Sequence, residues 1–247
     1  MVLNERVVEI GAWRNFDQHP QINLSGDLPD VPVLPGTLLL MEFYANGRSI
    51  DLNEISQLVL GDLGATIQIM RRAGQECSSG EERLNRIEDC ISTLGLQTCI
   101  EAMSRRTVMR SMNKPAILKA WSHGRDIAEN CRSMAAEMPR NTSPDEAYLT
   151  GLLHELGSLP EIFGWDPELG LPSDPDLAGM RLAEAWSLPR CVFDYFCEIR
   201  RPKSTHRWAG IVQRAHELLS LSSDQHSMND NQGAQVVAFD RMRAASL

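Results

Sequence analysis

Long apolar runs are missing from this chain. The longest, such as Leu38 to Met41, fall far short of the roughly 20 residues that a helix needs to cross a bilayer. Paired cysteines are missing too. The six cysteines, Cys77, Cys90, Cys99, Cys131, Cys191 and Cys197, form no C-x-x-C pair and no zinc-ribbon spacing. That pattern fits reduced, part-buried thiols and a cytoplasmic location. An excess of positive charge is also missing. Twenty-four Lys and Arg against 33 Asp and Glu leave a net charge of −9. This argues against membrane association and against general affinity for nucleic acid, although a local basic patch remains open. The start, Met1 to Arg6, lacks the basic and apolar segments of a signal peptide. No stretch alternates long enough for a sheet, no internal repeat is evident, and no P-loop, GxSxG or dinucleotide fingerprint is present.

What remains is helical pattern, and the expected fold class is all-α. At 247 residues the chain is long enough for one domain, or two packed ones, with a sizeable core. Residues 1–28 form an N-terminal extension with a short helix, broken at His19-Pro20. Leu28 to Gly36 is an extended proline-rich lead-in, because the prolines delay a helix. Thr37 to Asn46 is helical. Asp51 and Glu54 form a capping box for the next helix, with Leu52, Ile55 and Val59 as its stripe. Asp62 caps a helix from Leu63 to Ala73, with Arg71 and Arg72 facing water. Arg86 to Leu94 is a helix stopped by Gly95, and Leu96 to about Met109 is another. Asn113-Lys114-Pro115 marks a boundary between subdomains of about 29–114 and 115–220. Ala116 to Met138 is a long helix. Ser143 and Pro144 start a helix expected to run to Leu156. Asp176 to Trp186, Pro189 to Ile199 and His206 to Leu221 are further helices. Trp186, Phe193, Tyr195, Phe196 and Trp208 supply bundle core. The tail, 221–247, is polar, with a short helix from Gln235 to Ala245.

The chemistry concentrates between Trp121 and Gly157. His123 and His154 lie in apolar helical surroundings, and Glu155 follows His154 at once. This is the outline of a metal-dependent phosphohydrolase core, in which one His, a His-Asp pair and a distant Asp hold a metal that activates water. Two positions depart from that outline. The paired carboxylate is Glu155, longer than Asp by roughly 1.5 Å, one C–C bond. The distant Asp is replaced by His216.

Five local matches make the chain resemble the HDOD family, the HD-related output domain of bacterial signalling proteins. They are the Leu28-to-Pro35 lead-in; Ile55 to Ala73 with Gly61-Asp62-Leu63-Gly64-Ala65; Ile87 to Gly95; Trp121-Ser122-His123 with Ala128; and Gly151 to Gly157. Their order and spacing carry the resemblance across residues 28 to 220. It implies a helical N-terminal subdomain on an HD-like bundle, and a signalling role that is usually non-catalytic. The chain departs from the family at Gly74-Gln75, where asparagine-serine is common. It departs again at Ala178 and Gly179, a region where the family often has a histidine ahead of the turn that is Trp186-Ser187-Leu188-Pro189 here.

These readings favour a regulatory module that works by protein–protein contact, with no bound metal and no catalytic residue. His123 and His154 would then be hydrogen-bonded core residues. If a metal is bound, its ligands are His123, His154, Glu155 and His216. A metal-dependent phosphohydrolase or phosphodiesterase, and a nucleotide sensor using the old cleft, are the rival readings. From Ser104 to Arg125 the chain carries Arg105, Arg106, Arg110, Lys114, Lys119 and Arg125 and no acid until Asp126. This stretch is the candidate docking surface for an acidic partner or a nucleotide.

Overall fold

A computed structural model of the chain describes residues 28–47, 51–76, 84–104, 114–138, 142–201 and 207–221. The expected helices near the start and from Gln235 to Ala245 lie outside these residues, as does the polar tail. Every described element is helical, and no strand occurs among the described residues.

The lead-in ends sooner than its prolines suggest. Helix α1 spans Pro35–Ala45, with Pro35 itself in the first turn. Proline is tolerated there because that N–H has no helical partner to lose. Met41 and Thr37 are buried, while Ala45 is exposed. Helix α2, Leu52–Leu60, starts at Asp51, whose carboxylate accepts from the amides of Asn53 and Glu54. Such a cap is worth about 1 kcal/mol. Ile55 and Val59 are fully buried, whereas Leu52 at the edge of the expected stripe is 36% exposed.

Helix α3, Leu63–Glu76, continues past Ala73, so Gly74 and Gln75 are helical. Arg71 does not face water freely. It pairs with Asp30 at 3.0 Å and lies over the Trp186 ring. Helices α4, Ile87–Leu94, and α5, Leu96–Met103, are joined by Gly95 alone, at φ +75°. Few residues other than glycine take that conformation, and it lets one residue end α4 and begin α5. Helix α5 ends at Met103, and the expected extension to Met109 falls mostly outside the described residues.

Helix α6 is the long one, Lys114–Glu137. Helix α7, Pro144–Leu152, starts as its sequence signals, with the Ser143 hydroxyl accepting from the amide of Glu146. Short helix α8, Leu159–Phe163, follows a 3-10 turn at Leu156–Ser158. Helices α9, Pro175–Ala185, and α10, Arg190–Ile199, precede α11, residues 208–221.

Helix α6 packs along α7; α10 lies on α7 and α9; and α3 lies on α4 and α5. One continuous set of buried side chains runs from Leu28 to Ala215. Trp186, Phe196, Trp208 and Tyr195 belong to it, and Phe193 packs against it. The cysteines Cys90, Cys99, Cys131, Cys191 and Cys197 are all free and buried. Burial pushes the thiols of Cys99, Cys131 and Cys191 up to about 12, which keeps them protonated and unreactive.

Candidate metal centre

The site is built where α6 and α7 press backbone to backbone. A Cβ at Gly151 would lie 2.8 Å from Ala128 Cα and 2.9 Å from Cys131 Sγ. Only a residue without a side chain lets α7 approach α6 this closely. The approach brings the end of α7 beside His123.

Helix α7 stops at Leu152, so His154 and Glu155 do not continue it as the sequence suggests. They occupy a turn, with Leu153 at φ −102° and ψ 10°. A helix end leaves carbonyls without helical partners, and the His154 ring meets one of them. Its Nδ1 lies 2.7 Å from the carbonyl oxygen of Gly151. A carbonyl only accepts, so Nδ1 carries the proton and Nε2 carries the lone pair. That Nε2 is buried and has no hydrogen-bond partner.

Helix α11 brings His216 to the same point. Trp208, Ile211, Val212 and Ala215 bury its inner face, and His216 sits one turn beyond Val212. The ring centroids are 5.3 Å apart for His123 and His154, 5.1 Å for His123 and His216, and 4.8 Å for His154 and His216. One nitrogen from each ring falls within 4.8 Å of the other two. Among the described residues, these three form a group with the geometry to hold a metal ion.

The surroundings of two of these imidazoles disfavour the charged form. Burial pushes the His154 ring down to about 3, with His216 and His123 adding repulsion and the Gly151 carbonyl opposing. His216 is lowered as well, first by burial and then by His123, against a raising effect of Glu155.

Glu155 stands at the rim. Its Oε1 lies 3.8 Å from His123 Nε2 and 4.0 Å from His154 Nε2, too far for a hydrogen bond. Of the expected docking surface, Arg105, Arg106, Arg110 and the side chain of Lys114 lie outside the described residues. Lys119 and Arg125 are both exposed on α6. Six residues apart, they point about 120° away from each other around the helix.

Asp62 does more than cap α3, the one duty that its local sequence signals. Its carboxylate is 1% exposed and has four donors. Leu34 N donates at 2.8 Å, Gly64 N at 2.9 Å, Ala65 N at 3.2 Å and Trp121 Nε1 at 3.0 Å. It therefore ties the lead-in and the start of α3 to α6, two residues before His123. The cap was readable from the residues that follow Asp62. The indole partner, 59 positions away, had no local signal.

The sequence matches the HDOD domain family over residues 31–163, more than half of the chain. The chain belongs to the HDOD family. The HDOD match covers His123, His154 and Glu155 but ends well before His216. No curated protein matches the chain. Crystal structures of other proteins share its fold. The MmoQ response regulator from Methylococcus capsulatus str. Bath superposes with a TM-score of 0.59 at 19% identity, covering 76% of this chain and 85% of that one. A virulence factor, cj0248, from Campylobacter jejuni superposes with a TM-score of 0.51 at 15% identity, covering 77% and 75%. At these identities the likeness is one of fold, and both structures match this HDOD chain over most of their length. No helix of the described residues is long and apolar enough to cross a membrane.

Proposed function

We propose that this HDOD protein is a non-catalytic regulatory module that relays a signal by contact with a protein partner. The observation that carries the reading is the make-up of the site. A phosphohydrolase of the HD type sets carboxylates against its metal, to balance charge and to take the proton of the attacking water. Here the clustered donors are three imidazoles, and Glu155 is at the rim without a hydrogen bond to any of them. Family membership supplies the signalling half of the reading.

The test has two arms. The purified chain is incubated with bis(4-nitrophenyl) phosphate and with cyclic dinucleotides, in the presence of manganese, iron or zinc. No turnover above buffer is expected, and turnover that disappears in His123→Ala overturns the reading. In cells, cross-linking is expected to recover a specific protein partner. Reversing Arg105, Arg106 and Arg110 to Glu together is expected to remove that partner without moving the melting temperature.

A metal-dependent phosphohydrolase is the second reading. Three imidazoles favour it, since catalytic zinc is known with three such ligands and an open fourth position. The hydrolysis assay separates the two.

A further inference from the structure

His154 has an arrangement that packing alone does not explain. A buried imidazole in an apolar bundle satisfies both nitrogens or exposes one to water. His154 does neither: Nδ1 is held by the Gly151 carbonyl, and Nε2 is buried with nothing to bond. The same orientation is what a metal-ligating histidine requires, because a hydrogen bond at one nitrogen fixes the lone pair on the other and aims it. Two more imidazoles converge there, from α6 and α11. We propose that His123, His154 and His216 bind one divalent transition-metal ion of the zinc class, and that the ion fastens α11 to α6 and α7.

The distances fit. Three nitrogens around one tetrahedral zinc, each about 2.0–2.1 Å from it, lie about 3.3 Å from one another. Here they lie within 4.8 Å, so side-chain rotations closing at most roughly 1.5 Å bring them to contact. The donor class also fits. Imidazole selects zinc, copper, nickel and iron, whereas magnesium and calcium prefer oxygen. Between α6 and α11, Asn130 Nδ2 donates a long hydrogen bond of 3.5 Å to the carbonyl of Ala215. A shared ion adds a bond between those helices of a kind the packing lacks. His216 lies beyond the segment matched to the HDOD family. The inference therefore rests on this chain's tertiary geometry, and it holds whether or not the site turns over a substrate.

The experiment uses the full chain after chelation and dialysis, titrated with zinc chloride or magnesium chloride. Zinc is expected to bind at one equivalent. At a hundredfold excess over its Kd it is expected to raise the melting temperature by about 5–10 °C, while magnesium does neither. Amide exchange across 208–221 is expected to slow when zinc is added. His216→Ala is expected to lose the equivalent and the shift while retaining the helical spectrum of the metal-free parent. Should His216→Ala fail to fold, His123→Gln, at the other half-buried member of the trio, is read in its place. The proposal is overturned if no equivalent binds, or if the variant binds as the parent does. Binding that leaves exchange in 208–221 unchanged overturns the fastening of α11.

Discussion

At the scale of single residues, two buried polar groups do unlike work. Asp62 is saturated: four N–H groups converge on a carboxylate that is 1% exposed. Removing the acceptor leaves those donors without partners, and each buried unpaired group costs about 1–3 kcal/mol. Asp62→Ala is therefore expected to destabilise the fold by about 3–5 kcal/mol once relaxation and water entry are allowed for. Urea denaturation measures it, and a loss below 1 kcal/mol would show that the four bonds are not formed together. His154 is the opposite case, with one nitrogen unsatisfied. Burial depresses its ring to about 3, so the folded, metal-free protein refuses a proton that the unfolded chain accepts below about 6.5. A depressed histidine leaves stability intact above the unfolded value and removes it as pH falls toward the folded one. Between pH 7 and pH 5 the loss from this residue is about 2 kcal/mol. Comparing chelated parent with chelated His154→Gln at both pH values isolates it; equal pH slopes would mean the ring is protonated in the fold.

At the scale of elements, helix starts were legible and one decisive helix end was not. Asp51 and Ser143 cap α2 and α7 as their sequences signal, because a cap acts within three residues. Gly95 stops α4 for an equally local reason. The end of α7 is different. Nothing in Leu152-Leu153-His154-Glu155-Leu156 forbids a further helical turn, yet the chain leaves the helix at Leu153. The turn places the His154 ring on the Gly151 carbonyl and lets Leu153 and Leu156 both enter the core. Gly151 controls that arrangement through the contact between α6 and α7. Gly151→Ala is expected to cost about 1–3 kcal/mol by overpacking against Ala128 and Cys131. It should also weaken zinc binding by pushing His154 away from His123. A stable variant with parental zinc affinity would show that the close approach is not what sets the site. Gly64 makes a comparable approach to Pro32, where a Cβ would overlap the carbonyl.

At the scale of the whole molecule, the two halves expected to meet near Lys114 are bound together in several places. Trp121 bonds Asp62. The Tyr148 hydroxyl donates to the Leu60 carbonyl at 3.1 Å, and Asn85 donates to Glu146 at 3.1 Å. Arg86 pairs with Asp145 at 3.0 Å. The buried cluster does not divide at the boundary. We expect a single cooperative transition, with far-ultraviolet and near-ultraviolet circular dichroism coinciding in denaturant. Two separated transitions would make 29–114 and 115–220 independent domains.

The sequence by itself determined the all-α class, most helix starts and the two histidines of the central stretch, because periodicity and capping are written within a few residues. It also marked Glu155 and His216 as departures from a hydrolytic set. Only the tertiary structure decided that His154 sits in a turn with one nitrogen committed and one free. Only it brought His216, 62 positions from His154, to within a ring's width of it. Convergence of that kind depends on how α6, α7 and α11 pack, and packing is a property of the whole chain that no local pattern carries.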